Sequence, residues 1–236
     1  MTLNFIHTKN LPILKQLELE EALLRANQEN WCIVNEGSPP AIVMGISGKP
    51  EELIQIEEAN ANKIPIIKRF SGGGTVIVDE STLFVSFIFQ KQVHPFPAYP
   101  EPIMKWTEGL YQKVFPLDTF HLRENDYVLG ERKCGGNAQY IKKDRWLHHT
   151  TFLWDYKEHF MDVLLHPKKT PSYRNHRLHD DFLCKLKDYL KDPQIIISNL
   201  KKELAARFHL LLLSEEEALN KIEEPYRKTT TVLSFT

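Results

Sequence analysis

The chain has 236 residues, of which 42% are hydrophobic, and its formal net charge is −1. This length allows one large domain with a hydrophobic core or two small ones, and the near-zero charge argues against a strongly basic nucleic-acid-binding protein. The three cysteines cannot all pair and form no Cys-x-x-Cys motif, so we expect neither a disulfide scaffold nor a cysteine zinc site.

The N-terminal part predicts a strand followed by an amphipathic helix. Residues 3–7 favour a short strand, and residues 11–27 carry apolar side chains at helical spacing. Within this helix Glu20 and Glu21 follow Leu17 at the i+3 and i+4 positions. We interpret the two carboxylates as border residues of the apolar face, and the alternative is a buried partner for a cation.

The rest of the chain alternates strands and helices irregularly. Predicted strands lie at 31–36, 41–45, 64–70, 75–79, 83–89 and 229–235, three more fall within 126–155 with turns at 130–131 and 142–144, and helices are predicted at 50–62, 103–115, 179–190 and 198–210. Residues 83–89 are apolar on both faces, which is typical of a central strand. The irregular order predicts an α+β domain with a mixed sheet flanked by helices. No compositional break is present, so we expect one domain over 1–236.

Three consecutive glycines, Gly72, Gly73 and Gly74, precede the predicted strand at 75–79. Glycine is a poor strand residue, so the bare main chain should serve another purpose. It could bring backbone N–H groups close to an anion, and Arg69 could bind a phosphate or carboxylate bidentately. A flexible strand connection is the alternative interpretation.

A second candidate is Lys133, in a predicted strand beside another glycine pair. A lysine is a compact cation that can neutralise phosphate charge, although an ordinary solvated lysine would fit as well. The two-residue period of a strand predicts that Asn137 and Gln139 share its face and that Cys134 points away.

Two further pairs carry polar chemistry. His148 and His149 are adjacent, so in a strand they face opposite ways and are a poor metal site; we expect no metal centre. Asn125 and Asp126 suit a turn, and Asp126 could contact a cation or a nucleotide.

Segments 68–79, 125–139 and 148–153 together resemble the lipoate–protein ligase A family, within the biotin/lipoate ligase superfamily. In that family Arg-x-Ser-Gly-Gly-Gly is followed by His-Asp, an Asn-Asp pair precedes Lys-x-x-Gly-(Ser/Asn)-Ala, and His-His-Gly-Thr comes next. The order and the spacing both match. The resemblance covers about residues 3–155 and fades after that.

The resemblance implies a fold like that of the class II synthetases and a two-step reaction. The carboxylate of lipoate would attack the α-phosphate of ATP, supplied with Mg²⁺, to give lipoyl-AMP. A lysine of a lipoyl carrier domain, in a 2-oxoacid dehydrogenase or the glycine-cleavage H protein, would then take the acyl group.

The resemblance also assigns roles to residues. Lys133 would be the catalytic residue and contact the α-phosphate and carboxylate oxygens. Arg69 and the backbone of Ser71 to Gly74 would line the acyl and phosphate pocket. Nucleotide contacts would come from Asp126 and Asn137, and the border of the acyl site from His149 and Thr151.

Two positions depart from the family pattern: Val78 replaces a histidine and Thr150 replaces a glycine. The stretch after Asp155 is short for the accessory domain that many such ligases carry. We therefore expect either a separate accessory subunit or an enzyme that does not use ATP. The rivals to a ligase are an ATP-independent octanoyl or lipoyl transferase and a non-catalytic acyl- or lipoyl-domain-binding homologue.

Some transferases carry the acyl group on a cysteine thiolate. On a helical wheel Cys184 opposes the apolar residues around it. We interpret it as an idle, partly exposed thiol, and a nucleophile is the alternative.

The chain has no apolar run of about 18 residues, and residues 1–10 lack the features of a signal or transit peptide. We expect a cytoplasmic monomer that binds neither membrane nor nucleic acid.

Overall fold

The computed structural model describes residues 1–166, 170–222 and 224–235. The strands are β1 (Thr2–Lys9), β2 (Trp31–Glu36), β3 (Ala41–Met44), β4 (Ile66–Lys68), β5 (Thr75–Val78), β6 (Thr82–Gln90), β7 (Phe120–Arg123), β8 (Asp126–Leu129), β9 (Arg132–Ile141), β10 (Arg145–Leu153), β11 (His209–Leu213) and β12 (Thr231–Leu233). The helices are α1 (Ile13–Ala26), α2 (Pro50–Leu53), α3 (Ile56–Ala61), α4 (Pro100–Val114), α5 (Glu158–Met161), α6 (His179–Phe182), α7 (Gln194–Ala205) and α8 (Glu215–Leu219).

The strands form two mixed sheets. The larger sheet has the order β11-β1-β2-β6-β10-β9-β8-β7, in which β1 is parallel to both its neighbours and the other pairs are antiparallel. The smaller sheet has the order β12-β4-β3-β5, with β3 and β4 parallel. The predicted α+β class with a mixed sheet is confirmed.

The larger sheet is covered on both faces because its central strands are apolar on both. β6 is buried along nearly its whole length and lies between β2 and β10, as its sequence predicts. Helices α4 and α7 pack on one face, and α1 covers part of the other. The predicted edge strand at the end of the chain is β12, which pairs with β4 at the edge of the smaller sheet.

The predicted helix at 50–62 is wrong in one respect, because it is broken into α2 and α3. Ile54, between them, is buried and forms an isolated β-bridge with Leu164. The local sequence favours a continuous helix, but the backbone on either side of Ile54 has tertiary partners: the Gln55 N–H donates to the Val163 carbonyl, and the Leu53 carbonyl accepts from Leu165. These bonds override the helical preference.

The predicted helix at 179–190 is also wrong. It consists of α6 and a 3₁₀ turn at Leu186–Asp188, since Leu183 bridges to Lys133 of β9 and the N–H of Cys184 donates to the Lys133 carbonyl at 2.8 Å. The helix predicted at 198–210 begins earlier, as α7, and its last residues instead form β11 beside β1. No helix in the described ranges is long and apolar enough to cross a membrane.

Candidate active site

A cavity of about 670 Å³ lies where the larger sheet, the smaller sheet and α1 meet. Its walls come from β6, β8, β9 and β10 of one sheet and from β3 and β5 of the other, and several residues within 161–165 and 170–183 line it as well. Nine of the ten predicted site residues line it: Arg69, Gly72, Gly73, Gly74, Asp126, Lys133, Asn137, His149 and Thr151. The tenth, Ser71, is fully buried behind the wall.

At one end of the cavity Lys133 forms an ion pair with Asp126. The distance from Lys133 Nζ to Asp126 Oδ1 is 2.7 Å, and the lysine side chain stays 22% exposed while the carboxylate is almost fully buried. The other carboxylate oxygen accepts a hydrogen bond from Tyr173 Oη at 2.8 Å. Burial and the charge of Asp126 raise the pKa of Tyr173, so this phenol keeps its proton and donates. We call these three residues the Lys133 end.

The predicted shared face of Lys133, Asn137 and Gln139 is wrong. The β8–β9 ladder contains a bulge in which Cys134 is the extra residue. The bulge turns Lys133 onto the face of Gly136, where an added Cβ would lie 3.3 Å from Lys133 Nζ. Asn137 donates to a main-chain carbonyl of the β7–β8 turn at 2.7 Å, and Gln139 donates to the Pro100 carbonyl and contacts His148.

Arg69 does not present its guanidinium fork to the cavity. Its Nη2 donates to the carbonyls of Gly72 at 2.7 Å and Gly74 at 2.9 Å, and its Nη1 donates to the Val43 carbonyl at 3.3 Å. The side chain is 4% exposed, and burial lowers its pKa to about 10 while the charge of Glu20 opposes that shift. The guanidinium fork that was expected to bind a ligand bidentately instead holds the glycine loop.

This anchoring fixes which groups of the loop face away from Arg69. In a trans peptide the C=O of one residue and the N–H of the next point in opposite directions. Because the Gly72 and Gly74 carbonyls point at the guanidinium, the N–H groups of Gly73 and Thr75 point away from it.

The three glycines differ in what a side chain would meet. Gly73 has φ +100°, and an added Cβ would lie 2.8 Å from Arg69 Nη2 and 3.1 Å from Ala138 Cβ. At Gly72 and Gly74 an added Cβ would meet nothing within 4 Å, although both residues line the cavity. Gly73 is therefore required by the fold, whereas side chains at the other two positions would project into open space.

At the other end of the cavity, Glu20 of α1 is fully buried. Its Oε2 lies 2.9 Å from His149 Nδ1, and its Oε1 accepts from Gln16 Nε2 at 2.8 Å and from Ser86 Oγ at 2.5 Å. His149 Nε2 in turn lies 3.2 Å from Ser71 Oγ. We call this network the Glu20 end.

The interpretation of Glu20 and Glu21 as border residues is wrong, because both are fully buried. Glu21 pairs with Arg25 at 2.9 Å and accepts from the N–H groups of Thr229 and Thr230. Two adjacent carboxylates can both be buried because they point to different partners: Glu20 to the sheet and Glu21 to the C-terminal segment.

His148 and His149 face opposite ways, as the strand period predicts. His148 is fully buried in the core, within 3.2 Å of the hydroxyls of Tyr127 and Thr150, and burial lowers its pKa to about 3, helped by His149. Thr150, one of the two departures from the family pattern, also bonds the Tyr111 hydroxyl at 3.1 Å. The other, Val78, is buried and lines the cavity.

The cysteines stay away from the cavity. Cys32, Cys134 and Cys184 are all free and buried, and none lines the cavity in the part of the chain that the structure describes. The expectation that Cys184 is partly exposed is wrong: it is 1% exposed, because the backbone pairing with Lys133 turns its side chain into the core.

Among the polar residues that line or border the cavity and that sequence reasoning missed are Gln16, Glu124, Tyr173 and Arg174. Gln16 stands four residues before Glu20, which is a detectable helical pair. Tyr173 and Arg174 lie beyond the family resemblance noted in the sequence and in a single 3₁₀ turn, Ser172–Arg174, so no periodic pattern points to them.

The described residues contain no group of three or more His, Cys, Asp or Glu side chains that could hold a metal ion. Asp126 and Glu124 both line the cavity beside Tyr173, which donates its hydroxyl to Asp126 and its N–H to Glu124. Mg²⁺ bound with nucleotides often takes one or two protein carboxylates.

Comparisons with known proteins agree on one family. A family model described as the lipoyl protein ligase A/B catalytic domain matches residues 12–209. The chain is 30% identical to the inactive lipoate–protein ligase 2 of Plasmodium falciparum, over 86% of this chain and 69% of that protein. It is 32% identical to the lipoate-protein ligase LplJ of Bacillus subtilis, over 49% of this chain and only 34% of that protein.

Solved structures share the fold. A bi-partite lipoate protein ligase from Thermoplasma acidophilum, studied with its E2 lipoyl domain, aligns with TM-score 0.75 and 16% identity over 94% of this chain and 91% of that one. A putative lipoate protein ligase from the same organism, with bound lipoic acid, gives 0.73 and 15% over 94% of both chains. A lipoate-protein ligase A bound with ATP gives 0.69 and 16% over 93% and 92%.

Proposed function

Because the chain belongs to the lipoyl protein ligase A/B catalytic domain family, we propose that it is an ATP-dependent lipoate–protein ligase. It activates lipoate as lipoyl-AMP and transfers the lipoyl group to a lysine of a lipoyl carrier domain. The supporting observation is that the Lys133 ammonium and the side-chain-free Gly72 and Gly74 line the same cavity.

In the first step a lipoate carboxylate oxygen attacks the α-phosphorus of ATP, and the bond to pyrophosphate breaks. Negative charge develops on the α-phosphate oxygens, within reach of the Lys133 ammonium. A preorganised cation stabilises such charge most effectively in a site that excludes water. Asp126 and Tyr173 hold the ammonium in place before the substrates bind.

In the second step the neutral ε-amine of the carrier lysine attacks the acyl carbon. The C–N bond forms, the bond to AMP breaks, and the amine loses a proton. Lys133 again lies beside the phosphate oxygens on which the leaving group's charge collects. The same residue therefore serves both steps.

The acyl chain lies between the glycine loop and α1. The wall there is mainly apolar, with Ile13, Leu17, Val43 and Phe84 among its residues. Such a channel suits a thin acyl chain, and Gly72 and Gly74 leave the space beside the sheet open. The relative with bound lipoic acid and the one bound with ATP support both substrates.

The proposal extends to cofactors and partners. Mg²⁺ would arrive with ATP, and Asp126 or Glu124 would contact it. The carriers are lipoyl domains of 2-oxoacid dehydrogenases or the glycine-cleavage H protein. The chain acts as one catalytic domain, and adenylation uses a separate accessory subunit if the system is bi-partite like that of T. acidophilum.

A second candidate function follows from the inactive Plasmodium relative, which matches most of this chain. It is transfer of a preformed acyl group without ATP, or binding without turnover. A transferase that uses a cysteine thioester fits poorly, because the three thiols are buried away from the cavity.

Mass spectrometry of a lipoyl domain tests the proposal. The domain is incubated with this protein and lipoate plus Mg-ATP, with lipoyl-AMP alone, or with an acyl carrier donor alone. We expect one lipoyl group per domain with ATP. Modification only with lipoyl-AMP would assign adenylation to another subunit, modification only from the carrier donor would establish the transferase, and none in any arm would favour the binding homologue.

A further inference from the structure

The Glu20 end contains a buried acceptor without a hydrogen-bond partner. Gln16 is 1% exposed and lines the cavity, yet its Oε1 makes no hydrogen bond to any described residue. The hydroxyl of Thr75, which also lines the cavity, is buried and equally unpaired. Unpaired buried polar atoms are rare in folded proteins and call for an explanation.

The orientation of the Gln16 amide follows from its neighbour. The amide nitrogen of Gln16 donates to Glu20 Oε1 at 2.8 Å, and that oxygen also accepts from Ser86 Oγ. The amide oxygen therefore faces the other way. This assignment rests on the hydrogen-bond network, which is the proper basis for orienting an amide.

The rest of the network leaves no donor for that oxygen. His149 Nδ1 lies 2.9 Å from Glu20 Oε2, and its Nε2 lies 3.2 Å from the Ser71 hydroxyl, which accepts from Arg69 Nε at 3.1 Å. None of these groups is in hydrogen-bond contact with the Gln16 oxygen. The Gln16 oxygen is left as an acceptor that requires a donor from the cavity.

The position of Gln16 places it against the far end of an acyl chain. Thr151 lies beside Lys133, and His149 is two residues further along β10, about 7 Å away for one strand repeat. Gln16 is linked to His149 through Glu20, which contacts both side chains. If the carboxylate binds near Lys133, as the proposed function requires, the tail of the chain reaches Gln16.

We propose that the cavity selects an acyl chain that carries a hydrogen-bond donor near its distal end. A thiol or a hydroxyl meets this condition, so the dithiol form of lipoate is preferred over the cyclic disulfide and over octanoate. The last two have no donor for the Gln16 oxygen. This inference rests on the proposed function and names the substrate form that the same site takes.

The size of the preference follows from the penalty for an unpaired buried acceptor. Burying the Gln16 oxygen against a methyl group should weaken binding by about ten- to a hundredfold for a hydroxyl donor and by less for a thiol, which donates weakly. Sites built to hydrogen-bond a substrate group discriminate against analogues that lack it.

Calorimetry with four acids tests the inference: octanoate, 8-hydroxyoctanoate, lipoate and dihydrolipoate, the last under anaerobic, reducing conditions. Hydroxyoctanoate is redox-inert, so with octanoate it isolates the donor from ring opening. We expect it to bind at least tenfold more tightly than octanoate, and dihydrolipoate to bind about fivefold more tightly than lipoate.

The variant Gln16→Met removes the acceptor at similar volume, and Gln16→Leu, which also lacks the amide oxygen, provides a second test if Gln16→Met does not fold. In Gln16→Met, the affinity ratio of 8-hydroxyoctanoate to octanoate and that of dihydrolipoate to lipoate should both fall toward one. Equal binding of all four acids by the unaltered protein would overturn the inference and leave the ligase proposal standing. A preference that persists in both variants would also overturn it, and binding of none of the acids would remove the acyl site on which both proposals depend.

Discussion

The two ends of the cavity differ in how their charges are held. At the Lys133 end, a partly exposed ammonium borders the cavity and forms one ion pair, with Asp126. At the Glu20 end, the carboxylate is fully buried and accepts hydrogen bonds from three side chains. The ammonium of Lys133 can exchange its partner for a ligand, whereas the carboxylate of Glu20 is held by hydrogen bonds within the fold.

The difference indicates that the two ends have different roles. A group that stabilises charge developing in a reaction must be aimed at the cavity and able to change partner. A group that defines the shape of a pocket should be fixed by its own hydrogen bonds. The predictions below test this difference in roles, beginning with the largest expected effect.

Lys133→Met removes the only charge-stabilising role that we assign at its end. We expect the rate of carrier lipoylation to fall by about 10²–10³-fold, as for the loss of one donor to developing charge. The control is Lys143→Met, an exposed lysine in the same β9–β10 hairpin, which should keep normal activity. Near-normal turnover by Lys133→Met would contradict the assignment.

Substitutions in the glycine loop should separate effects on stability from effects on ligand binding. Gly74→Leu should keep the stability of the protein, because an added Cβ meets nothing within 4 Å, but fill the acyl channel. An overlap that costs about 1–3 kcal/mol would weaken lipoate binding by about five- to a hundredfold. Calorimetry gives the affinity, and urea unfolding gives the stability.

Gly73→Ala should behave in the opposite way, because Gly73 has positive φ and lies close to Arg69 and Ala138. We expect a loss of about 1–2 kcal/mol in the free energy of unfolding from the backbone conformation alone. If Gly73→Ala and Gly74→Leu lose stability equally, the three glycines share one structural role and the distinction between them is wrong.

The burial of His148 on the core side of β10 can be tested by the pH dependence of the protein's stability. His148 has a folded-state pKa of about 3, below the unfolded value of about 6.5. The unfolded chain therefore binds more protons, and stability falls as pH drops through 6.5 toward 3. Between pH 7.5 and pH 5 this amounts to about 2 kcal/mol. Urea unfolding at both pH values should show a correspondingly smaller loss for His148→Gln; an unchanged loss would show that His148 is not the neutral buried group described here.

Tyr173→Phe should have the smallest effect. It removes one hydrogen bond to Asp126 but leaves the ion pair with Lys133. A net hydrogen bond contributes about 1 kcal/mol, so we expect a loss of about fivefold in the lipoylation rate, measured at saturating ATP. A loss as large as that of Lys133→Met would mean that the phenol itself takes part in the chemistry.

Two of the three residues of the Lys133 end, Lys133 and Asp126, could be predicted from the sequence because they lie in short motifs with fixed spacing, whereas Tyr173 could not. The bulge at Cys134 could not be predicted, since it depends on the register of β8 against β9. It moves Lys133 off the face predicted for it and onto that of Gly136.

The Glu20 end was largely missed because its partners are distant in sequence. Glu20 meets Ser86 and His149, 66 and 129 residues away, and helical periodicity alone favours a border position for such a carboxylate. The fate of Cys184 was missed for a similar reason, because pairing with Lys133 replaced the predicted helix. Local pattern predicted most elements, and tertiary hydrogen bonds decided the exceptions.

The central claim is that the ammonium of Lys133 and the open glycine positions border one site for an acyl adenylate. The most direct measurement is calorimetric binding of a non-hydrolysable lipoyl-sulfamoyl-adenosine to the unaltered protein, Lys133→Met and Gly74→Leu. We predict tight binding to the unaltered protein and weaker binding, by at least tenfold, to each variant. Equal affinity for all three proteins would contradict the claim.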